Sequence, residues 1–470
     1  MTIAALSPCL TLAAVLAAAL ITSPARAAPG DAVEAKSLLM ESVGFASVKG
    51  RGETPKLARF YRDWLVARGF AAGDIAIAET AGTATLHLTW RAAGEKGSGH
   101  TAAPMALTGH LDVVEANPAD WTRDPFTAVE EGGSLFGRGI QDNKFGLAMM
   151  MATLVRLKAS GFQPRRDIHL FLSGDEETDG LTGAEQAKQA KALGIEFMLN
   201  SDAGGGMLSS DGKPFAYSVQ AAEKSYADFT LALTDPGGHS STPTASNAIA
   251  RMGLVAARIA GHRWPVQVND ITRAALQDAA NRRSDALGQA MTRFVANQQD
   301  AAAIAALRAN PGTIGQIGTT CVPTMVTGGH APNALPQRVE LTVNCRIFPG
   351  TTIAQVQAEL ARIADDPGIS FSTGVDWPVT PASPLRPDVL GAVQAAVSAR
   401  APGLKAVPGM SVGATDSVFW RAQGIPSYGT AGLFQRQEDD FAHGLNERVP
   451  ASAIAPALMH WETLLRRLAG

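Results

Sequence analysis

Hydrophobic residues along the first half of the chain occur in two spacings, which predict strands and helices in turn. The segments 105–109, 168–172 and 197–199 are short and largely apolar, as buried strands are. Between the first two segments, leucine and methionine residues recur at helical spacing from Leu147 to Leu157. Strands that alternate with helices are typical of a mostly parallel twisted sheet with helices on both faces. We therefore predict the α/β class for this part of the chain.

The pattern of polar and apolar residues changes in the middle of the chain. Residues 338–347 alternate between the two types, which predicts a strand in a sheet with one solvated face. Helical spacing at 245–259 and at 352–364 places helices beside that sheet. An Ala-rich segment at 271–309 predicts an additional helical hairpin, ended by the breaker Asn-Pro-Gly at 310–312.

These changes divide the chain into two predicted domains. A larger domain comprises residues 29–216 and 378–470, where strands and helices alternate. A smaller α+β domain at 217–377 is inserted into it. Two domains also suit a chain of 470 residues, which is too long for one ordinary hydrophobic core.

The first 28 residues differ from the remainder of the chain. An apolar run at 10–21 is followed by Ala25, Arg26 and Ala27, a small-x-small pattern typical of signal-peptide cleavage sites. We predict a signal peptide at 1–28, cut near Ala27, and export to the periplasm or the medium. A short membrane anchor is the alternative, although the run is short for a span.

The charge and hydrophobicity of the chain indicate which kinds of partner it can bind. The chain has 40 Lys and Arg against 43 Asp and Glu, a net charge of -3, which argues against nucleic-acid binding. After the N-terminal run, no segment is apolar enough to predict a transmembrane helix. We expect a mature protein that does not span the membrane.

The three cysteines do not predict a catalytic thiol or a zinc site built on thiolates. Cys9 would leave with the signal peptide, so that Cys321 and Cys345 remain. Cys345 falls on the apolar side of the alternating segment 338–347, where a thiol behaves as a small hydrophobic group. We expect two separate buried thiols, with a disulfide as the alternative in an exported protein. So few cysteines indicate that any zinc would be held by histidine and carboxylate groups.

Five polar clusters carry the candidate chemistry, and three of them directly follow a predicted apolar strand. Ligands bind at that edge of an open α/β sheet. Acidic groups crowded there repel one another unless positive charge lies among them, which a pair of divalent metal ions supplies. The clusters are Gly-His-Leu-Asp at 109–112, Gly-Arg-Gly-Ile-Gln-Asp-Asn-Lys at 137–144, Ser-Gly-Asp-Glu-Glu at 173–177, Asn-Ser-Asp-Ala-Gly at 200–204 and His-Gly-Leu-Asn-Glu at 443–447.

Two of these clusters suit a metal site by their spacing alone. His110 and Asp112 lie on the same side of an extended segment, so one can bind a metal while the other orients the site. Glu176 and Glu177 are adjacent and point in different directions, so one carboxylate can bind metal while the other moves protons.

In this order and spacing, the five clusters resemble the M20 metallopeptidases, a family of carboxypeptidases, dipeptidases and aminoacylases, and nearest its secreted branch similar to carboxypeptidase S. The resemblance implies a di-zinc exopeptidase type of fold with an inserted lid and dimerisation domain. It implies two divalent ions, zinc in the first place with Co²⁺ and Mn²⁺ as alternatives. It also implies that Glu176 is the general base acting on a metal-bridging water and that Asp112 orients His110. The implied ligands are His110, Asp142 and Asp202 for one ion and Asp142, Glu177 and His443 for the other, with Asp142 bridging.

The resemblance extends to the inserted domain. It implies that His239 stabilises the oxyanion and that Asn333 and Arg346 bind substrate, while Gly413 brings backbone groups close to it. Arg346 falls on the polar side of its predicted strand, where it is free to bind a substrate carboxylate. In this family, a homodimer can form through the lid domain.

The function that these observations predict is hydrolysis of an amide bond close to a free carboxylate, by an exopeptidase of the carboxypeptidase or dipeptidase type. The substrate would be a small peptide or an N-acyl amino acid. One alternative is an N-acyl-amino-acid amidohydrolase of the same family. A second alternative, from another class, is an exported binding protein that keeps the fold without catalysis.

Overall fold

The computed structural model of this protein describes residues 29–93, 102–374 and 377–470. The predicted signal peptide at 1–28 lies outside the described residues. Among the residues described, no helix is both long and apolar enough to cross a membrane.

The largest sheet within the described ranges has ten strands, and its central part is parallel. Its path runs β1-β2-β6-β3-β7-β17-β9-β8-β18, with β16 beside β9. The central strands β6, β3, β7 and β17 are parallel, whereas β1 and β2 join the edge antiparallel. The predicted α/β class is confirmed. The strands are β1 (Ile75–Thr80), β2 (Thr83–Trp90), β3 (Met105–His110), β6 (Ile168–Ser173), β7 (Phe197–Asn200), β8 (Gly205–Leu208), β9 (Pro214–Glu223), β16 (Ala406–Ser411), β17 (Ser427–Gly429) and β18 (Phe434–Gln435).

Helices cover both faces of this sheet. On β3 and β6, Leu107 and Leu170 point to one core, whereas their neighbours Ala106 and Phe171 point to the other. The continuous apolar segments that predicted these strands are therefore buried on two sides. The first face packs against α1 (Pro29–Val43), α2 (Thr54–Val66), α3 (Phe145–Ala159), α11 (Pro387–Arg400) and α13 (Ile454–Ala469), and the second against α4 (Leu181–Ala192) and α12 (Ser417–Ala422).

A second, antiparallel sheet forms the smaller domain. Its strand order is β12-β14-β10-β15, and one face packs against two helices. On β14, buried and half-buried residues alternate, as the sequence predicted. The elements are β10 (Ser225–Thr234), β12 (Thr320–Gly328), β14 (Arg338–Ile347), β15 (Ile369–Thr373), α5 (Ala248–Gly261) and α10 (Ile353–Ala364). Short ladders complete the fold, one of β11 (Gly238–His239) and β13 (Ala334–Leu335), the other of β4 (Val129–Glu131), β5 (Ser134–Phe136) and β19 (Arg448–Pro450).

The change between the two sheets occurs at one residue. Strand β9 continues in the large sheet to Glu223, and β10 begins the small sheet at Ser225. Lys224 is the link between them.

The Ala-rich insertion is not the hairpin that the sequence predicted. It forms three helices and a short fourth, with a core of its own that includes Leu276 and Phe294. Ile271 packs into the core of the large domain, and Gln316 Nε2 donates to the Met410 carbonyl 3.1 Å away. The insertion therefore joins the small domain to the large one. Its helices are α6 (Asp270–Asn281), α7 (Ala286–Ala296), α8 (Ala301–Ala309) and α9 (Pro311–Ile314).

The expectation of two separate buried thiols is wrong. Cys321 and Cys345 lie directly opposite each other on β12 and β14, with Cα atoms 4.1 Å apart, and they form a disulfide. The alternation in the sequence identified the buried face of Cys345. It could not supply the register with β12 that brings the two sulfur atoms together.

Candidate metal centre

Three parallel strands deliver the candidate ligands to one edge of the large sheet. His110 is the last residue of β3, Glu176 and Glu177 follow β6, and Asp202 follows β7. Because β3 pairs with both β6 and β7 in parallel, their carboxyl ends share this edge. Asp142 comes from the loop before α3.

Asp142 lies between two imidazole rings. Its Oδ1 is 2.9 Å from His110 Nε2, and its Oδ2 is 3.2 Å from His443 Nε2. Each carboxylate oxygen therefore faces a different histidine, although the two histidines are 333 positions apart in the sequence.

Each imidazole faces a second carboxylate as well. Asp202 Oδ1 lies 3.3 Å from His110 Nε2, and Glu177 Oε1 lies 2.9 Å from His443 Nε2. One ligand atom each from His110, Glu176 and Asp202 lies within 4.8 Å of the others. The five predicted ligands and Glu176 thus form one cluster.

The hydrogen-bonding capacity of His110 shows that a proton or a metal ion must lie within this cluster. His110 Nδ1 is 2.9 Å from the carbonyl oxygen of Asp112, which can only accept, so Nδ1 carries a proton. In the neutral ring Nε2 then has a lone pair, and it faces carboxylate oxygens of Asp142 and Asp202. Three acceptors around one point require a metal ion or a proton between them.

Two acids of the cluster have raised pKa values, whereas His110 and His443 lower the pKa of Asp142 between them. Burial, followed by the charges of Asp142 and Glu177, raises the pKa of Asp202 to about 8, although His110 lowers it. Burial also raises the pKa of Glu176 well above its usual value, with Asp202 adding to the shift. Neighbouring carboxylates that resist ionisation together are stabilised by added positive charge.

The histidines respond to the same charges. Hydrogen bonds with Asp142 and Glu177 raise the pKa of His443 to about 10. Burial lowers the pKa of His110, but the charges and hydrogen bonds of Asp202 and Asp142 outweigh burial and raise it well above its usual value.

The donor set fits two divalent ions. Imidazole nitrogen and carboxylate oxygen are the ligands of catalytic zinc sites. Tetrahedral zinc, with bonds of about 2.0–2.1 Å, keeps its ligand atoms about 3.3 Å apart. The separations of 2.9–3.3 Å around His110 and His443 are close to that value.

Asp112 anchors the turn that carries the two glutamates. Its carboxylate accepts the backbone N–H of Glu176 at 3.1 Å and that of Glu177 at 3.0 Å. Its Oδ1 is 3.7 Å from His110 Nδ1, which instead contacts the Asp112 carbonyl. Asp112 therefore positions both the first histidine and the glutamate pair.

Comparison with known proteins identifies the family of this chain. The sequence profile of peptidase family M20/M25/M40 matches residues 106–467, which include all five polar clusters. The chain belongs to this family. The family predicted from the sequence is confirmed, and so is a metal-dependent hydrolase of amide bonds.

Two curated relatives of this M20 protein have different stated activities. It is 28% identical over 368 residues to the N-fatty-acyl-amino acid synthase/hydrolase PM20D1 of Xenopus tropicalis, which covers 76% of this chain and 71% of that protein. It is 27% identical over 290 residues to a probable carboxypeptidase S-like protein of Dictyostelium discoideum, with 59% and 54% covered.

A solved structure shares the M20 fold. The M20 family metallo-carboxypeptidase Sso-CP2 from Sulfolobus solfataricus has a TM-score of 0.69 and 16% identity, over 92% of this chain and 98% of that one. At this identity the match supports the fold alone.

The M20 centre depends on a buried carboxylate to which the sequence assigned no role. Glu447 is fully buried and accepts Arg138 Nη1 at 2.7 Å. It also accepts the backbone N–H groups of Gly139 at 2.8 Å, Gln141 at 2.8 Å and Asp142 at 3.0 Å. Glu447 thus fixes the loop that presents Asp142.

The same ion pair positions the second histidine. Arg138 Nη2 donates to the carbonyl oxygens of His443 and Gly444, 3.3 and 3.2 Å away. Opposite charges at Arg138 and Glu447, each within a ligand-bearing cluster, were the signal in the sequence that would have indicated this pairing.

The four predicted substrate residues lie elsewhere in this M20 chain. His239 is exposed and pairs with Ala334, next to Asn333, whose carbonyl accepts the Ser240 N–H at 3.0 Å. Arg346 lies on the outer face of β14. Within the described ranges, no hydrogen bond or ion pair joins His239, Asn333, Arg346 or Gly413 to the metal-ligand cluster.

Proposed function

We propose that this protein is a di-zinc amidohydrolase that cleaves N-acyl amino acids at the amide bond next to their free carboxylate. The observation that best supports this proposal is the position of Asp142. Its Oδ1 lies 2.9 Å from His110 Nε2, and its Oδ2 lies 3.2 Å from His443 Nε2. A carboxylate held in this way suits the bridge between two ions.

The proposed ligands divide into two sets that share Asp142. His110 and Asp202 complete one set, and Glu177 and His443 complete the other. When bound, two divalent ions polarise the amide carbonyl and make water a better nucleophile.

Glu176 is the proposed general base. Its side chain reaches the His110 and Asp202 side of the cluster, and its backbone is held by Asp112. Its carboxylate takes a proton from the attacking water and delivers it to the departing amine nitrogen.

The small domain supplies the proposed contacts to substrate. His239 Nδ1 accepts the backbone N–H of Ser241 at 3.1 Å, so in the neutral ring Nε2 carries the proton. Nε2 can therefore donate to a developing oxyanion. Arg346 presents a guanidinium whose planar fork matches a substrate carboxylate.

The choice between acyl amino acids and peptides rests on the relatives. The N-fatty-acyl-amino acid synthase/hydrolase matches over more of both chains than the carboxypeptidase S-like protein does. Peptide hydrolysis is the second candidate, because it uses the same carboxylate contact and the same amide chemistry.

We expect hydrolysis to depend on bound metal and to be faster for N-acyl amino acids than for dipeptides. Protein stripped with a chelator should lose hydrolysis of N-acyl amino acids and recover it with zinc, because two ions neutralise the acidic cluster. Product release should be measured for acyl amino acids and dipeptides, with zinc, manganese and cobalt added in turn. Faster turnover of dipeptides would favour the second candidate, and activity that survives chelation would contradict the metal centre.

We also propose that two chains associate through β12. Among the described strands, β12 pairs with β14 alone, which leaves one edge of the small sheet without a partner. Val322, Met325 and Val326 on this strand are 58–66% exposed, and Leu254 on the neighbouring helix α5 is 62% exposed. An apolar edge strand of this kind favours pairing with a second copy.

Association is tested by Val326→Lys, which puts charge on the proposed contact. We expect the wild type to have twice the chain mass by light scattering and the variant to have the mass of one chain. Ile314→Lys, at a residue 38% exposed in α9, serves as the control. A wild type of single-chain mass at high concentration would contradict the proposal.

A further inference from the structure

Lys224 is a buried lysine at the junction of the two sheets. It is the single residue between β9 of the large sheet and β10 of the small one, and it is fully buried. Its backbone N–H donates to the Ser411 carbonyl, 3.0 Å away, in the segment that leads to Gly413. The residue is thus tied to both domains.

The ammonium group of Lys224 has few partners. Nζ donates to Thr320 Oγ1 at 3.2 Å, and a neutral hydroxyl is a weak partner for a buried charge with three N–H donors. Burial, with the nearby charge of Arg346 acting in the same direction, lowers the pKa of Lys224 to about 7. The charged group that acts on this lysine therefore has the same sign.

Arg346 is held close by on the adjacent strands. It lies directly across from Thr320 on β12 and from Tyr226 on β10. Its guanidinium lies over the Tyr226 ring, 4.7 Å from the centroid. In the part of the chain that the structure describes, Arg346 forms no ion pair. Asp228, which also lies on β10, accepts from the Tyr226 hydroxyl and from Asn344 Nδ2.

Lys224 and Arg346 are two basic side chains at one junction, and neither forms an ion pair with a carboxylate among the described residues. Such a pair favours an anionic ligand. We propose that Lys224 is the second cation of the site that recognises the substrate carboxylate, acting together with Arg346. Because its side chain is buried, Lys224 is a positioning residue that attracts the anion through its charge. This inference rests on the proposed function, which supplies a substrate with a free carboxylate.

The test separates charge recognition from a structural role by comparing an acid ligand with its neutral analogue. In a Glu176→Gln background, which blocks turnover, binding of an N-acyl amino acid and of its carboxamide is measured by calorimetry. Lys224→Met should weaken binding of the acid about tenfold and change binding of the carboxamide less than about twofold. Lys224→Arg should restore the preference for the acid. Lys188→Met, which removes an exposed charge, should leave both affinities unchanged.

Three outcomes decide the matter. Selective loss of acid binding supports the proposal, whereas equal weakening of both ligands overturns it and assigns Lys224 a structural role. If neither ligand binds the Glu176→Gln protein, both the proposed substrate class and this inference are contradicted. Lys224→Gln provides the same comparison if the fold does not accept methionine.

Discussion

Replacement of Glu176 by glutamine is expected to lower kcat about 10²–10⁴-fold and to leave the bound metal unchanged. Glutamine has the size of glutamate but cannot accept the proton of the attacking water. The Glu176 backbone N–H would still donate to Asp112, so the turn should keep its position. Turnover of an N-acyl amino acid and metal content per chain are the two measurements.

The control for this prediction is Glu185→Gln, on helix α4, whose side chain is 76% exposed. It removes one carboxylate near the same turn and should leave kcat within about twofold of the wild type. If Glu176→Gln retained activity similar to this control, another group would have to act as the base. Loss of metal together with activity would instead make Glu176 a ligand.

The second large effect is expected for Glu447→Gln. Glutamine would leave Arg138 buried without a carboxylate, and we expect the free energy of unfolding to fall by about 3–5 kcal/mol. Its amide N–H₂ would also face a backbone N–H, that of Gly139 if it takes the place of Oε2, or those of Gln141 and Asp142 if it takes the place of Oε1. Urea denaturation followed by tryptophan fluorescence measures this loss, and zinc affinity should fall with it.

Glu130→Gln is the matched control, because Glu130 forms an exposed ion pair with Lys36 at 2.7 Å. Exposed pairs contribute about 0–1 kcal/mol, so this variant should unfold close to the wild type. Equal stability of the two variants would show that the Glu447 contacts do not hold the loop.

The sequence predicted the metal-ligand cluster because strand ends and ligand types are both local features. The apolar segments at 105–109, directly before His110, and at 197–199, shortly before Asp202, identified two neighbouring strand ends. The position of His443 required more, since it is brought back to this edge from far along the chain. The hydrophobic periodicity does not place His443 in the cluster. The order of the five clusters, compared with the M20 pattern, does.

Features that depend on pairing or on long-range contacts escaped prediction. The disulfide required the register of Cys321 against Cys345, and the role of Glu447 required its contact with Arg138. The insertion is a different case, because its signal was present in the sequence. Asp285 and Asp300 are N-caps that begin two separate helices, accepting the Gly288 and Ala303 N–H groups.

The insertion also limits how the two domains can be treated as separate pieces. Its first helix, α6, packs beside β16, and Ile271 shares a core with Met410 of the large domain. Cutting the chain at Lys224 and near 377 would therefore remove the apolar contact between Ile271 and the core of the large domain. The two pieces would not be independent domains. A truncated large domain would expose to solvent the surface beside β16 that α6 covers. A rotation of the small domain relative to the large one must either bend the insertion or move α6 along β16.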